Sequence, residues 1–341
     1  MVSDHYYYHI LSKENQSLYK CIYDACLKYE DLVTVHGNYD EKDFRIVIES
    51  LLKDNPYFFY LDFNHVEFIS IGDWVDVKLH FLLPKDKCDE ISEKVKRNAT
   101  TILSKINISE RNESEIVRSI HDLLVCNVVY DLVGLKAGAY DTDGIFAHSV
   151  LGVFLKKTAV CDGISKAFKY LLNAVGIKSI VVTGKGESEY NYNNEMLHAW
   201  NIVKIDGKNY HIDLTWDIAG TRDGLISYDY YCLTDDMITK DHTMMETMPA
   251  CGSTEHNYFY KHNAFIKNED ELKKYVSETL LNDNKTIYVK LDQECDYHKA
   301  EQYISDSIMM KMYDNNEAGM VSLQNNQKQG IIKCSYTSAQ K

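Results

Sequence analysis

Cys161, His198 and Asp213 are the residues of this sequence whose types could together perform chemistry. A cysteine thiolate is a nucleophile, a histidine can take the thiol proton and later protonate a leaving group, and an aspartate can fix the histidine tautomer. The three residues lie far apart along the chain, so they can cooperate only if the fold brings them to one place. The chemistry they would then support is acyl transfer through a thioester.

The segment that follows Cys161 is predicted to be a helix that begins at this residue. Its apolar residues recur at the three-and-four spacing of one helical face: Ile164, Ala167, Phe168, Leu171, Leu172 and Val175. Gly176 is expected to end the helix. A cysteine at a helix N-terminus meets unpaired N–H groups and the positive end of the helix dipole, and both favour the thiolate. The position suits a nucleophile.

A hairpin is predicted to carry the histidine and the aspartate. Two alternating runs, Leu197–Ile205 and Asn209–Trp216, flank an Asp206-Gly207 pair, which is a strong signal for a two-residue turn. A further short strand is expected at Ser179–Thr183.

The turn sets a register for this hairpin. The expected pairs are Ile205 with Lys208, Ile202 with His211, Trp200 with Asp213, and His198 with Thr215. His198 and Asp213 would then be diagonal neighbours on one face, with backbones roughly 7–8 Å apart, a gap that side chains can close. A slip of one residue would send one of the two to the other face.

Three segments of the chain resemble a known family. The segments VCDG, LHAWN and HIDLTWD are similar to the signature segments of the transglutaminase-like superfamily, and the subgroup they resemble is that of the bacterial transglutaminase-like cysteine peptidases. The resemblance extends to His121–Asp131 upstream and to Ser227–Thr243 downstream. It implies that Cys161 is the nucleophile, His198 the base and Asp213 the orienting residue, on a papain-like core.

Two residues beside Cys161 depart from the family pattern. Asp162 stands where a longer polar residue is expected, and Ile164 stands where an aromatic one is common. A carboxylate next to a thiolate opposes its ionisation, although the helix dipole favours a carboxylate in the first turn. The backbone N–H of Cys161 is a candidate oxyanion donor, and the second donor is left unassigned.

Four other residues are predicted to shape the site or to bind substrate. Trp200 and Trp216 would shield the histidine from water. Tyr190 lies in the polar loop between Lys185 and Met196, which is expected to rim a substrate groove. His148 heads a short helix that is predicted to pack before the nucleophile.

Composition limits the partners and the compartment. A net charge of −14 disfavours nucleic acid and anionic membranes as partners, because both would repel the protein, and no run of eighteen apolar residues could cross a bilayer. Nine cysteines without a CxxC framework suggest free thiols in a cytoplasmic protein. A secreted or cell-surface location is the alternative if a leader was removed. The expected partner is a peptide or protein substrate, and the oligomeric state is left open.

The chain is predicted to be α+β, with a papain-like or transglutaminase-like core in which the nucleophile helix packs on an antiparallel sheet. With 341 residues, two or three domains are expected. The predicted divisions are an N-terminal α+β domain at 1–110, the core at 111–264 and a small C-terminal α/β module at 265–341. Outside the core, three strands are expected at Phe58–Leu61, Val66–Ile71 and Val75–Leu82.

The leading functional hypothesis is a peptidase that hydrolyses a thioester acyl-enzyme, with no cofactor. Two alternatives are a protein-glutamine transglutaminase that uses an amine acceptor and a catalytically silent peptide- or protein-binding module. A zinc site formed by Cys161, His198 and Asp213 is the main chemical rival, since these side chains can also bind that ion. The Gly134–Gly144 loop lacks the ligand spacing of an EF-hand, so no metal is predicted there.

Overall fold

The computed structural model describes residues 5–137, 142–187, 196–222, 224–282 and 284–338. None of the helices within these ranges is both long and apolar enough to cross a membrane. All nine cysteines lie in the described ranges, and each of them is a free thiol.

The N-terminal part of the chain packs three helices against a small antiparallel sheet of order β1-β3-β2. The elements are α1 (Tyr6–Ile10), α2 (Lys13–Lys28), β1 (Leu32–His36), α3 (Glu41–Asp54), β2 (Glu67–Ile71) and β3 (Trp74–Lys78). Their apolar faces form one buried cluster. The strand predicted at Phe58–Leu61 is wrong: only Leu61 pairs, in a single bridge to Phe81, because the surrounding segment makes consecutive turns.

The central part contains a four-stranded antiparallel sheet of order β8-β7-β6-β9. The strands are β4 (Val129–Tyr130), β5 (Thr158–Ala159), β6 (Ser179–Gly186), β7 (Met196–Ile205), β8 (Lys208–Ile212) and β9 (His242–Met244), of which β4 and β5 form a separate parallel pair. The helices are α4 (Lys85–Leu103), α5 (Glu113–Asn127), α6 (Leu132–Ala137), α7 (Thr142–Ala147), α8 (Cys161–Ala174), α9 (Leu214–Gly220), α10 (Asp235–Ile238) and α11 (Tyr258–Lys261), and a π-helical turn spans Gly152–Lys156.

Helix α8 packs against β6 and β7, and α5 lies against both α8 and α9. This is the predicted arrangement of a nucleophile helix on an antiparallel sheet. The architecture mixes α-helices with antiparallel sheets, as predicted, and the prediction of fold class is confirmed.

The C-terminal part is a second four-stranded sheet, of order β10-β11-β13-β12, packed against two helices. Its elements are β10 (Phe265–Ile266), α12 (Glu269–Leu281), β11 (Thr286–Leu291), α13 (Tyr297–Asp314), β12 (Gly319–Asn326) and β13 (Ile331–Ser338). We call residues 265–338 the C-terminal module. Tyr288 and Ile331 of this module, like Val95 and Ala99 of α4, join the main hydrophobic cluster of the centre. The domain boundaries at 110 and 264 remain predictions.

Candidate active site

Cys161 is the first residue of α8, as its sequence context predicts. The preceding residue, Val160, is the N-cap and has no side chain that could cap the helix, so the first-turn N–H groups are left without a side-chain acceptor at that position. These N–H groups and the helix dipole favour negative charge at this end. Gly176, with φ of +80°, lies just past the end of the helix, as predicted.

Two hydrogen bonds hold α8 against the strand that carries the histidine. The Ser165 hydroxyl, one turn after Cys161, lies 2.8 Å from the carbonyl of Cys161 and 3.1 Å from that of Ala199, so its one proton is shared between the helix and the strand. In return, the Asn201 side chain donates to the carbonyl of Ser165 at 3.1 Å. Ala199 is the neighbour of His198 in β7, so these bonds fix the helix start opposite the histidine.

The hairpin has the predicted turn and, over most of its length, the predicted register. Asp206 and Gly207 have φ of +49° and +82°, which a two-residue hairpin turn of this kind requires. The observed pairs run from Ile205 with Lys208 to Asn201 with Ile212, and they include Ile202 with His211.

The predicted pairing of Trp200 with Asp213 and of His198 with Thr215 is wrong. Strand β8 ends at Ile212, and Asp213 is the N-cap of α9, whose first turn contains Thr215. The carboxylate of Asp213 accepts the backbone N–H of Thr215 at 2.9 Å, and this cap turns the chain away from the sheet.

Asp213 nevertheless meets His198 as the sequence predicts. Nε2 of His198 lies 2.7 Å from Oδ2 of Asp213, and both side chains are buried. The pKa of His198 is raised to about 9: burial lowers it, but the charge and hydrogen bond of Asp213 and a hydrogen bond with Cys161 outweigh burial. Since Nε2 is engaged by Asp213, Nδ1 is the ring nitrogen left to take a proton from the Cys161 thiol.

The charge of Asp162, a concern raised by the sequence, is compensated in the structure. Its carboxylate contacts Nδ1 of His148 at 2.8 Å and Nζ of Lys166 at 3.1 Å. Burial raises its pKa, but the attraction of Lys166 and the contacts of His148 lower it below the usual value. His148 is thus bound to the neighbour of the nucleophile, and its partner is Asp162, with no bond to His198 or Asp213.

The two tryptophans predicted to shape the site pack around His198. The Trp200 ring is almost fully buried, with its centroid 6.1 Å from that of His198, and the Trp216 ring centroid lies at 5.5 Å. Trp216 also lines a cavity of about 430 Å³ between α9 and the C-terminal module. Glycine at position 186 makes room for it, because a Cβ there would lie 2.8 Å from the Trp216 ring. Tyr190 lies outside the described residues.

Two residues near the site carried no prediction. His242, at the start of β9, places Nε2 at 3.2 Å from Oδ2 of Asp213. Tyr130, on β4, has a raised pKa, first because of burial and then because of the charges of Cys161, Asp162 and Asp213. Both lie within the segments that carry the family resemblance, but nothing local marks them: they reach the site through sheet pairing that is distant in sequence.

Among the residues that the structure describes, two groups of side chains have the spacing that a metal ion would need. In the first, donor atoms of His198, Asp213 and His242 lie within 4.8 Å of one another, but Oδ2 of Asp213 already accepts from both histidines. These three side chains are therefore bound to one another by hydrogen bonds that a metal ion would have to replace.

The second group consists of His211, Asp235 and Cys251. Trp200 donates its indole N–H to Nδ1 of His211 at 3.0 Å, so the proton of the neutral ring must be on Nε2, which faces Asp235 at 2.9 Å. A metal would need the lone pair of that nitrogen. Trp200 therefore selects the tautomer that opposes metal binding.

Comparison with known proteins places the candidate site within a matched region. Residues 100–214, which include Cys161, His198 and Asp213, match the model of the transglutaminase-like superfamily. No curated protein matches the chain.

Solved structures with some similarity to this chain include a TGase (15% identity, 56% of this chain and 52% of that one, TM-score 0.32). Two others are a candidate cysteine protease from Cytophaga hutchinsonii (16%, 44% and 61%, TM-score 0.27) and a candidate protease from Parabacteroides distasonis (9%, 80% and 61%, TM-score 0.26). The matches span 52–61% of the length of these structures.

Proposed function

We propose that this chain, whose residues 100–214 belong to the transglutaminase-like superfamily, is a thiol-dependent peptidase that cleaves peptide or protein amide bonds through Cys161, His198 and Asp213. The observation that carries the proposal is the position of the His198 ring. It is bound to Asp213 through Nε2, and Cys161, the first residue of a helix, is near enough to contribute to the raised pKa of the ring. Nucleophile, base and orienting carboxylate are the three parts that acyl transfer requires.

The reaction begins with the imidazole holding the thiol proton. The Cys161 sulfur attacks the carbonyl carbon of the amide and forms a tetrahedral oxyanion, for which the backbone N–H of Cys161 is a candidate donor. Collapse breaks the C–N bond, and the leaving amine takes a proton from His198. Throughout, the buried carboxylate of Asp213 stabilises the imidazolium and keeps Nε2 from turning away.

The thioester is then resolved by water. His198, now neutral, removes a proton from water as it attacks, and the second tetrahedral species collapses to a carboxylic acid and the thiolate. Hydrolysis is favoured here because Cys161 is partly exposed, which gives water access to the acyl-enzyme. An amine that attacked instead would make the same group a transferase.

The proposal is tested with a peptide library incubated with and without a primary amine and read by mass spectrometry. Cleaved peptides that depend on Cys161 are expected. Amine-adducted glutamines would show a transglutaminase, and unchanged peptides would favour a silent binding module. The inactive variant is Cys161→Ala, and Cys126→Ala is the matched control because Cys126 is an exposed thiol elsewhere on the protein.

A second test needs no substrate. Iodoacetamide should alkylate Cys161 faster than Cys126 in the same molecule, and His198→Ala should remove the difference. Equal rates at the two thiols in the wild-type protein would contradict the proposed function.

A further inference from the structure

His242 shares the carboxylate of Asp213 with His198. Its Nε2 lies 3.2 Å from Oδ2 of Asp213, while its Nδ1 lies 2.6 Å from Oδ1 of Asp241. The His242 side chain is fully buried. Because both ring nitrogens face carboxylate oxygens, both can donate at once only in the imidazolium form. His242 is thus a cation held between two carboxylates.

Asp241 is itself held by the C-terminal module. Its second oxygen, Oδ2, accepts from the Gln329 side chain at 2.9 Å and from the Tyr230 hydroxyl at 2.9 Å. Gln329 has no exposed surface, and its Oε1 accepts from the buried Nζ of Lys290 at 3.1 Å. Its amide nitrogen also donates to the carbonyl of Met237 at 3.0 Å. Every polar atom of the Gln329 side chain is engaged.

We propose that His242 and Gln329 are positioning residues for the catalytic group: Gln329 fixes Asp241, Asp241 fixes His242, and His242 fixes the carboxylate of Asp213 that orients His198. This inference rests on the proposed function. Both residues lie beyond the matched region 100–214. The C-terminal module therefore contributes to the site, because Gln329 is connected to Asp213 through consecutive buried hydrogen bonds.

The charges that face His242 come from each element packed on it. Asp213 and Asp241 bond to its ring, the His198 ring centroid lies 5.3 Å away, and the Tyr230 ring centroid lies 5.6 Å away. From β8, His211 is close enough for the charge of His242 to lower its pKa, after the larger effect of burial. The remaining ring neighbours are the uncharged Trp200 and Trp216.

Besides orienting Asp213, His242 should change the electrostatic interaction between Asp213 and His198. A cation at His242 offsets part of the negative charge of Asp213, so it weakens the attraction that keeps His198 protonated. Replacement of His242 by a neutral residue should therefore raise the pKa of His198, although the carboxylate becomes less well ordered. A residue with a purely structural role would not produce this shift.

The test uses the full chain and the ratio of the alkylation rates of Cys161 and Cys126 by iodoacetamide. His242→Phe removes both donors, His242→Gln keeps an amide that can still reach Asp213, and Gln329→Leu removes the link to the module. We expect the ratio to fall about tenfold or more in His242→Phe, and less in the other two variants. The matched control is Gln302→Leu, the same change at an exposed position of α13.

The pH dependence is read with iodoacetate, whose negative charge makes its reaction faster while His198 is positive. The reaction rate should fall at high pH as His198 loses its proton. The midpoint of this fall should lie about half a pH unit or more higher in His242→Gln than in the wild-type protein. The inference would be overturned if the midpoint of this fall in His242→Gln, and the Cys161-to-Cys126 rate ratios in folded His242→Gln and Gln329→Leu, were the same as in the wild-type protein. If His242→Phe does not fold, His242→Gln and Gln329→Leu supply the same comparison.

Failure of the inference and failure of the proposed function give different results. If the wild-type ratio of Cys161 to Cys126 is near one, the proposed function fails. If the wild-type ratio is high and the variants leave it unchanged, the function stands and the role of His242 and Gln329 is disproved.

Discussion

His198 and Asp213, 15 positions apart, are joined by a hydrogen bond of 2.7 Å although only the histidine lies in a strand. Asp213 occupies the corner where β8 ends and α9 begins. One of its carboxylate oxygens caps the helix and the other binds the imidazole. The same side chain therefore serves the fold and the site, and substitutions can separate the two roles.

The first prediction concerns Asp213→Asn and Asp213→Ala. Asparagine can keep the helix cap but loses the charge that stabilises the imidazolium, so alkylation of Cys161 should slow by roughly 10- to 100-fold, and the protein should lose the stability that this charge provides through His198 and His242. Alanine should also lose the cap and about 1 kcal/mol of unfolding free energy more. Urea unfolding and mass spectrometry of Cys161 measure the two effects. Wild-type reactivity of Asp213→Asn would contradict the assigned role.

A second prediction uses Gly186, which faces the site from β6. A Cβ there would lie 2.8 Å from the Trp216 ring and 3.5 Å from the His198 ring, so Gly186→Ala must displace the tryptophan. We expect a cost of about 1–3 kcal/mol in unfolding free energy and a slower reaction at Cys161. The control is Gly252→Ala, where the added methyl group meets nothing within 4 Å. Equal behaviour of the two variants would show that the close packing at Gly186 is unimportant.

The third prediction concerns stability against pH. The pKa values of His198 and His242 are each raised to about 9, mainly by Asp213 for His198 and by Asp213 and Asp241 for His242, in both cases against burial, which lowers them. A histidine with a raised folded-state pKa stabilises the fold fully below its unfolded pKa, and this contribution is lost as the pH rises through the folded value. The unfolding free energy should therefore decrease between about pH 6.5 and pH 9.

Urea titrations at a series of pH values measure this loss. His242→Gln should show a shallower decline, because one of the two titrating groups has been removed. A decline that is as steep in the variant as in the wild-type protein would mean that His242 is not protonated in the folded state.

The fourth prediction concerns metal removal. Dialysis against EDTA should leave the rate of Cys161 alkylation unchanged, since Oδ2 of Asp213 already accepts from His198 and His242. Elemental analysis before and after dialysis provides the control. Faster alkylation after EDTA that zinc slows again would favour the rival hypothesis, in which Cys161, His198 and Asp213 bind the ion and the bound zinc masks the thiol.

The sequence predicts those parts of the site that depend on residues close to one another in the chain. The helix start at Cys161 follows from apolar spacing, and the hairpin register follows from Asp206-Gly207, since both features are set by residues close to one another in the chain. The strand end was mispredicted because Asp213 to Trp216 alternates like a strand. An aspartate that can cap a helix competes with that pattern, and here the cap prevails.

Other parts of the site depend on contacts between distant segments. His242 approaches Asp213 only because β9 pairs with the edge of β6 that faces away from β7. Gln329 approaches Asp241 only because the C-terminal module packs on the central part of the chain. Strand β12 (Gly319–Asn326) is largely exposed and has only a short alternation at Val321 and Leu323, and it forms by pairing with β13. Such pairings are determined by the assembled fold and leave little periodic trace in the segment itself.

The double use of Asp213 also has a kinetic consequence. Since one carboxylate begins α9 and orients the imidazole, fraying of the first turn of α9 and loss of thiolate activation are a single local opening event. Amide hydrogen exchange of Thr215 and Trp216, whose N–H groups bind that carboxylate, would then report how often the folded protein passes through an unreactive form.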